Sequence, residues 1–389
     1  MAEELEVKSK QEKPILPELE PGTILCEFYK VIQKIDTGGM SSVVYLVQST
    51  NDNNYYVAKV IYKTDDTTEV QWDAFLDEVV TSGRVKMCPN VVHTYANEST
   101  ADRIVMVMDY IDGSTLRDIL SQANHLSIEE TLYIFKKIAL ALESLHGFKH
   151  KIIHQDLKPE NIMLSKDRSD VKIIDFGIAN VFIKDDNGKR ILTKKEDVHG
   201  TFAYICPDLV KSLRSAYIRN MPNTMDAVNQ VVEEQLDFYA FGVMLYETLM
   251  GHKPFYAPDY TKKEVMDLPL LYDVPIMSKE NPKIPTILDD VVFRCMASKD
   301  NDVKHRYKSA REIIADLDEA KRQLEQPNIS TDLIKPASER TFQPSSNFNF
   351  KLEKTNAKFY SSKWFFFLVC FIFVAIIVAL VTVIITNKI

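Results

Sequence analysis

The sequence predicts an α+β fold of two lobes, a small β-rich N-terminal lobe and a mainly helical C-terminal lobe, followed by one C-terminal transmembrane helix. β-Branched and aromatic residues alternate over residues 28–46 and 55–62, on either side of the turn-like run Asn51–Asn54, as in strands joined by a turn. From about residue 115 onward, the apolar residues recur mainly at helical spacing. The run 364–386 then contains no charged residue, no Gly and no Pro.

Composition and charge argue against two other classes of protein. The chain has 389 residues, a net charge of −8 and no prominent basic patch, so nucleic acid is not expected as a partner. Its 5 cysteines are widely spaced and form no CxxC pair. They therefore indicate reduced thiols rather than a disulfide framework or a zinc site.

The chain divides into four predicted parts. The start is acidic and contains several prolines, which is typical of disordered chain. The region before the apolar run is polar and of the composition found in linkers. The predicted parts are a disordered N-terminus (1–27), a folded domain (28–320, with lobes at about 28–110 and 111–320), a flexible juxtamembrane linker (321–363) and a transmembrane helix (364–386).

The apolar run 364–386 predicts a single-pass location in the cell membrane. As a helix it would be roughly 34 Å long, enough to cross a hydrocarbon core of about 30 Å. Lys351, Lys354, Lys358 and Lys363 precede it, and little charge follows. This bias predicts that the folded domain lies on the cytoplasmic side.

Two helices can be placed from local patterns. Apolar residues recur at helical spacing over residues 72–85. A second helix is predicted to run to Leu145, with Ser127 as its N-cap and Glu130 as the capping-box partner.

The most informative stretch is residues 153–162, which read IHQDLKPENI. It contains an acid, a cation two residues later and an amide three residues further on, namely Asp156, Lys158 and Asn161. A second acid, Asp175, follows a short apolar run that suits a hairpin strand. A base, a cation and hard oxygen ligands at this spacing predict a loop for phosphoryl transfer.

This pattern resembles the catalytic loop and Asp-Phe-Gly segment of protein kinases, and the run Lys158–Glu160 resembles the serine/threonine class. The resemblance implies a protein kinase fold with ATP and Mg²⁺ (or Mn²⁺) in the cleft. It implies that Asp156 accepts or orients the proton of the attacking hydroxyl and that Lys158 neutralises charge on the transferring phosphoryl group. Asn161 and Asp175 would hold the metal ion.

A strand lysine and a helix acid complete the predicted catalytic set. Lys59 lies in a strand-like run, and an inward lysine is costly to bury unless it is paired. In the family such a lysine holds the α- and β-phosphates and pairs with a helix glutamate. Glu78 is the predicted partner, because it is better placed to face inward than its neighbour Asp77.

A glycine-containing turn between two strands resembles the phosphate-covering loop of bacterial membrane-anchored serine/threonine kinases. The run Gly38–Ser41 is the most telling part, whereas Asp36 replaces the first glycine of the family pattern and Ser41 replaces the third. The chain resembles the catalytic domain of PASTA-type kinases without the extracellular repeats. The predicted ATP-binding residues of this loop are Ile35, Asp36, Thr37, Gly38, Gly39, Met40, Ser41, Ser42 and Val43.

The same resemblance predicts an adenine pocket and the hinge between the lobes. Met108 would close the back of the pocket, and the backbone of Asp109 and Ile111 would hydrogen-bond the adenine. The ring would lie between Ile35, Val43, Ala58 and Met163.

Four further positions follow from the resemblance. Asp208 and Arg306 would form a buried pair, and Asp237 would anchor the backbone of the catalytic loop. Thr193 is the candidate phosphorylation site of the loop after Asp175. Residues 211–232 form an insertion with no assigned role.

The sequence leaves two rival functions open beside a kinase that acts on Ser or Thr of proteins, itself included. One is a pseudokinase scaffold, since Asp36, Ser41 and Gln155 depart from the family pattern. Gln155 stands where an arginine usually pairs with a phosphate, so turnover is expected to depend little on loop phosphorylation. The other is a membrane-tethered small-molecule kinase, which the segment Gly200–Asp208 disfavours. A homodimer is compatible with the sequence.

Overall fold

The computed structural model describes residues 16–36, 41–85, 88–149, 151–175, 182–184, 190–192, 202–209, 234–255, 262–298 and 303–325. All of them belong to the first of two compact units, Met1–Pro344. The second unit, Ser345–Ile389, lies outside the described residues.

The N-terminal lobe is built on an antiparallel sheet of six strands in the order β1-β2-β3-β4-β6-β5. The described strands of the chain are β1 (Ile24–Leu25), β2 (Tyr29–Asp36), β3 (Ser42–Ser49), β4 (Tyr55–Tyr62), β5 (Thr94–Ser99), β6 (Arg103–Asp109), β7 (Gly113–Thr115), β8 (Ile162–Ser165), β9 (Val171–Ile173), β10 (Phe182–Lys184) and β11 (Arg190–Leu192). The predicted strand region 55–62 coincides with β4, and region 28–46 contains β2 and the start of β3.

The two faces of this sheet carry different clusters. Successive residues of a strand face opposite sides of the sheet, so β4 contributes to both faces. Helix α1 (Glu69–Arg84) covers one face, where Ile61, Trp72, Phe75, Val79, Val92, Ile104, Met106 and Met108 pack together. The other face holds Leu25, Val31, Val43, Tyr45, Val47, Ala58, Val60, Tyr62, Val105 and Val107, with Leu16 and Leu19 against them.

Helix α1 starts earlier than the predicted residue 72 because of its cap. The Thr68 hydroxyl accepts from the Gln71 N–H at 3.2 Å, and the Gln71 side chain accepts from the Thr68 N–H at 3.0 Å. This reciprocal pair satisfies backbone donors that would otherwise be orphaned at the helix start.

The remaining described helices belong to the C-terminal lobe. They are α2 (Leu116–Ala123), α3 (Ile128–His146), α4 (Glu234–Met250), α5 (Lys262–Leu271), α6 (Met277–Glu280), α7 (Thr286–Met296) and α8 (Ala310–Glu325). The predicted N-cap of α3 is present, since Ser127 Oγ accepts from the Glu130 N–H at 3.2 Å. The Glu130 carboxylate pairs with Arg168.

Helix α4 lies at the centre of this lobe, and every residue from Glu234 to Leu249 is buried. Phe241 packs edge-on against Phe135 of α3, with ring centroids 5.1 Å apart. A Cβ at Gly242 would lie 2.7 Å from Cβ of Cys295 on α7, so only glycine allows the two helices to approach this closely. The core of the lobe therefore fixes α4, which in turn positions the site described below.

The predicted single-pass location in the cell membrane is corrected by the structure. Within the described residues, no helix is both long and apolar enough to cross a bilayer. Helix α3, for example, has 19 residues but includes charged side chains such as Glu129, Lys136 and Glu143. The predicted span 364–386 lies outside the described residues.

Candidate active site

A short hairpin brings two separate parts of the chain together. Strands β8 and β9 pair antiparallel, with Ile162 opposite Ile173, so the residue before β8 and those after β9 are neighbours. The Ile174 N–H donates to the Asn161 carbonyl at 2.9 Å. As a result, the loop that contains Asp156 lies beside Asp175.

One ammonium group connects the two lobes at this point. Lys59 Nζ on β4 lies 3.4 Å from Glu78 Oε1 on α1 and 2.8 Å from Asp175 Oδ1, which follows β9. Asp77, the neighbour of Glu78, is exposed. The structure thus brings Lys59 together with the acid that the sequence favoured and with a second acid from the other lobe.

The charges of this cluster are set by burial and by each other. Burial acts to lower the pKa of Lys59, but the carboxylates of Asp175 and Glu78 raise it above its ordinary value. Burial acts to raise the pKa of Asp175, yet the Lys59 cation holds it below its ordinary value. The pKa of Glu78 is raised by burial, and Lys59 offsets part of that effect. Lys59 and Asp175 therefore both stay charged at neutral pH.

Asp175 also has an unusual backbone. Its φ of 53° lies in the left-handed region, which is uncommon for a residue with a side chain. Such conformations cluster at functional sites, where surrounding contacts hold them.

The catalytic loop forms a second polar cluster. Lys158 Nζ donates to Asp156 Oδ2 at 2.6 Å, and Asn161 Nδ2 donates to the Asp156 carbonyl at 2.8 Å. Asp156 and Asn161 are buried among protein atoms. Asn161 Nδ2 also donates to Asp156 Oδ2 at 3.2 Å, so the carboxylate lies between a cation and an amide and has little rotational freedom.

Helix α4 holds the backbone of this loop through Asp237. Asp237, whose exposure is 0%, accepts from the N–H groups of His154 and Gln155, each at 2.9 Å. His146 Nε2 lies 2.8 Å from the same carboxylate. Burial acts to raise the pKa of Asp237, but the hydrogen bond and charge of His146 hold it below its ordinary value. Gln155 itself has a φ of 68°, so the carboxylate clamps a strained turn.

The predicted metal ligands suit a hard divalent cation. Asn161 offers an amide oxygen and Asp175 a carboxylate, which are the ligand types of Mg²⁺. The Asn161 amide nitrogen is engaged with Asp156, which leaves the amide oxygen as the end available to a cation. Within the described residues, no group of three or more His, Cys, Asp or Glu side chains could hold a metal ion. A Mg²⁺ bound by few protein ligands together with substrate phosphates fits this arrangement.

Strand pairing corrects two residues of the predicted adenine pocket. Residues directly opposite each other on antiparallel strands share a face. Val43 is opposite Val60, and Ala58 is one residue from Lys59, so both lie on the face away from the lysine, in the core cluster. Val44, opposite Lys59, and Val57, two residues before it, lie on the Lys59 side instead.

The other members of the predicted pocket have different surroundings. Met108 is opposite Val57 and packs under α1, and Met163 on β8 is partly buried. Ile35 near the end of β2 is exposed. For Ile111, no polar contact is described.

The hinge residue Asp109 has more contacts than expected. Its N–H donates to the His93 carbonyl at 3.0 Å, which leaves its backbone carbonyl, not its amide, for a purine. Its carboxylate accepts from Tyr95 Oη at 2.8 Å and from Lys172 Nζ at 2.6 Å. Burial acts to raise the pKa of Asp109, but Lys172 holds it below its ordinary value. Since Lys172 is on β9, this ion pair joins the hinge to the C-terminal lobe.

The predicted pair after the loop forms an ion pair that is partly, not fully, buried. Arg306 Nη1 lies 2.5 Å from Asp208 Oδ2, and Arg306 Nε donates to the Ala297 carbonyl at 2.6 Å. This pair fixes the segment 202–209 against the C-terminal lobe.

Several predicted residues fall in parts of the chain without a described structure. Thr37, Gly38, Gly39 and Met40, the phosphosite candidate Thr193 and the insertion 211–232 lie outside the described residues. Of the flanking residues, Asp36 is at the exposed end of β2, opposite Val44. The Ser41 carbonyl accepts from the Tyr62 N–H at 2.9 Å, and Ser42 is buried.

Two features escaped sequence reasoning. Val57 could have been found from alternation alone, because it is two residues before Lys59 and shares its face. The Lys172–Asp109 pair had no local signal, since its members are far apart in sequence.

Comparison with known proteins identifies the family. The family described as Protein kinase domain matches residues 29–317. A provisionally described serine/threonine-protein kinase of Mycoplasma genitalium is 32% identical over 389 residues, which is 93% of this chain and 96% of that protein. Serine/threonine-protein kinase PrkC of Bacillus subtilis is 25% identical over 298 residues, 74% of this chain and 40% of that protein. PknB of Mycolicibacterium smegmatis is 33% identical over 215 residues, 54% of this chain and 29% of that protein.

The chain belongs to the protein kinase domain family, and it is a serine/threonine protein kinase similar to those of bacteria. The predicted class of enzyme and the two-lobed kinase fold are confirmed. Kinases of this family use ATP and a divalent metal ion. The comparisons do not support the predicted membrane anchor, the relation to PASTA-type kinases without their repeats, or the homodimer, and they do not favour a pseudokinase.

Proposed function

We propose that this kinase transfers the γ-phosphoryl group of ATP to Ser and Thr hydroxyls of proteins, its own chain included, at the site formed by Lys59, Asp156 and Asp175. The main support is the position of Lys59 Nζ, within reach of Glu78 and Asp175 at once. A cation placed where both lobes meet suits the phosphates of a nucleotide lying between them.

The catalytic loop supplies the acceptor side of the reaction. Asp156 orients the substrate hydroxyl and takes its proton as the new O–P bond forms and the bond to the leaving ADP oxygen breaks. Lys158, 2.6 Å from that carboxylate, neutralises charge on the transferring group. Lys59 holds the α- and β-phosphates, and Glu78 holds Lys59.

Asn161 and Asp175 are the residues that would hold the divalent metal ion, which when bound neutralises charge on phosphate oxygens. Asp237 anchors the backbone of His154 and Gln155, directly before Asp156, and this anchoring favours a preformed position of Asp156. Preorganisation of this kind is the main source of rate in phosphoryl transfer.

The proposal is tested with the full chain, γ-labelled ATP and Mg²⁺, with autophosphorylation and transfer to a generic protein as readouts. We expect Asp156→Asn and Asp175→Asn each to lower the rate by about 10³-fold or more, roughly 4 kcal/mol of transition-state stabilisation. Asp170→Asn, an exposed acid just before β9, is the matched control and should change the rate less than about twofold.

Label found on sugars or lipids but not on protein Ser or Thr would contradict the proposed substrate class. If the wild-type chain binds ATP, as measured by a thermal shift, but transfers no phosphate, the result would instead support the pseudokinase-scaffold hypothesis. Equal rates for Asp175→Asn and Asp170→Asn would remove Asp175 from the site.

A further inference from the structure

A basic side chain is enclosed by acids next to the catalytic loop. Arg117 of α2 donates from Nε to Glu160 Oε1 at 2.8 Å, from Nη1 to Glu247 Oε1 at 2.9 Å and from Nη2 to the Tyr204 hydroxyl at 2.7 Å. Tyr204 in turn donates to Glu247 Oε2 at 2.5 Å. We call the space bounded by Glu160, Glu247 and Tyr204 the acidic recess.

The recess joins four parts of the C-terminal lobe. Glu160 lies in the short 3₁₀ helix Pro159–Asn161 of the catalytic loop, and Glu247 lies on α4. Tyr204 belongs to the short helix Phe202–Tyr204. Arg117, at the start of α2, is the group that connects all three. A planar guanidinium with a fixed fork of donors can bind three partners at once, and an ammonium cannot match this geometry.

The recess is built for a cation. The Glu247 side chain is only 8% exposed and would be costly to bury without a positive partner. The Glu160 side chain is 45% exposed, so the recess opens to solvent on that side. Lys253 lies over the Tyr204 ring at 5.2 Å and adds a second positive charge nearby. Burial lowers the pKa of Lys253, and Glu247 partly offsets this effect.

The recess is within reach of a bound protein substrate. Glu160 is four residues from Asp156 in the chain, so their Cα atoms are at most about 15 Å apart, and the helical turn shortens this distance. An extended peptide advances about 3.3 Å per residue. A residue about two to four positions from the phosphorylated Ser or Thr could therefore reach the recess.

We propose that Arg117 is a specificity-determining residue, because it fills with the chain's own guanidinium an acidic recess that would otherwise take a basic side chain of the protein substrate. The enzyme is therefore indifferent to Arg or Lys near the acceptor. This inference rests on the proposed function, since it concerns the protein substrate of the same site.

The test is an arginine scan of a peptide that contains one Thr among alanines, with Arg placed in turn at each position from four before to four after the Thr. For the wild-type full chain, we expect kcat/KM to vary less than about threefold with the position of Arg. Arg117→Ala should raise kcat/KM about tenfold at one position, chiefly through a lower KM, because a charge-assisted pair is restored. Adding Glu160→Gln to Arg117→Ala should remove the gain.

Two variants serve as controls. Arg117→Lys keeps a cation in the recess and should show the flat wild-type profile. Arg311→Ala removes an arginine from an exposed ion pair with Glu143 and should do the same. If Arg117→Ala does not fold, Arg117→Gln keeps the length and polarity of the side chain without its charge, and it should show the same gain at the same position.

A flat profile in folded Arg117→Ala or Arg117→Gln would overturn the inference. A second outcome would also overturn it. If the wild type prefers Arg at one position and Glu160→Gln removes that preference, the recess accepts a substrate cation beside Arg117. Peptide binding, followed by fluorescence anisotropy, separates this inference from the proposed function. If the wild type transfers no phosphate, tighter binding of the Arg peptide to Arg117→Ala still supports the role of Arg117, and equal binding overturns it.

Discussion

The catalytic loop and the Lys59 cluster are held in different ways. The loop is tied by backbone hydrogen bonds to Asp237, a carboxylate with 0% exposure on a helix that is itself at the centre of the C-terminal core. Among the described residues, the Lys59 ammonium is held by two ion pairs, 3.4 Å to Glu78 and 2.8 Å to Asp175, and these acids belong to different lobes.

Because of this difference, the geometry of the loop depends on the stability of the fold, whereas the geometry of the Lys59 cluster does not. Because the loop backbone is bonded to a buried residue of α4, we expect the loop to keep its geometry as long as the core around α4 stays folded. The Lys59 cluster depends on how α1 and the segment after β9 meet, and a change there need not unfold anything. We therefore expect substitutions at Asp237 to lower both the free energy of unfolding and kcat/KM. Substitutions in the Lys59 cluster should lower kcat/KM alone.

The largest effect that this comparison predicts is that of Asp237→Asn. An amide places an N–H₂ group against at least one backbone N–H, which leaves a buried donor without an acceptor and removes the negative charge beside His146. We expect the free energy of unfolding to fall by about 3–5 kcal/mol, as when one member of a buried charged network is lost. Urea unfolding followed by circular dichroism measures this change.

Glu234→Gln is the matched control, since it neutralises an acid on the same helix that pairs with the half-exposed Lys151. It should lower stability by less than about 1 kcal/mol. If Asp237→Asn proves as stable as Glu234→Gln, the hydrogen bonds of Asp237 do not hold the catalytic loop, and the proposed link between the loop and the stability of the fold is wrong.

The second prediction concerns Glu78→Gln. The glutamine keeps the shape of the side chain but loses its attraction for Lys59, which then has Asp175 as its remaining described partner. We expect kcat/KM to fall about 30-fold, roughly 2 kcal/mol, with an unchanged urea midpoint. Because Asp77 is exposed beside it, Asp77→Asn is the control and should leave both quantities unchanged.

A parallel fall in the urea midpoint of Glu78→Gln would show that the cluster supports the fold as well as the site. Equal kinetics in Glu78→Gln and Asp77→Asn would instead mean that Lys59 is held by Asp175 alone.

Much of the fold could be predicted because its signals are local. The alternation over residues 55–62 is that of a strand, and it coincides with β4. The Ser127 cap was readable from the spacing of Ser127 and Glu130. The earlier start of α1 was missed, although Thr68 and Gln71 form a capping box, because the apolar pattern begins later.

The candidate site was only partly predictable, for a physical reason. Residues in fixed motifs, such as Asp156 and Asn161, are close together in the chain, and the structure keeps them together. Ala58 lies on the other face because it is next to Lys59 and successive strand residues alternate, which the sequence alone could have shown. The face of Val43 depends on the register of β3 with β4, which the turn at Asn51–Asn54 sets. Contacts such as Lys172 with Asp109 depend on tertiary packing and leave no pattern in the sequence.

The smallest predicted effect tests whether stability can change without activity. On α7, burial raises the pKa of Asp290 to about 6 from 3.8, and the nearby acids Asp289 and Asp316 add to the rise while Arg294 opposes it. The folded state therefore binds more protons than the unfolded state between about pH 4 and 6, so stability falls as the pH rises through that window.

Asp290→Asn cannot lose a proton, and at pH 7.5 it should be more stable than the wild type by about 1–2 kcal/mol. This gain in the urea midpoint should vanish near pH 4, kcat/KM should not change, and Asp66→Asn, an exposed acid in a turn of the other lobe, should show no gain at either pH. A gain that persists at pH 4 would have to come from packing instead of the carboxylate charge, and a change in kcat/KM would show that α7 is coupled to the site.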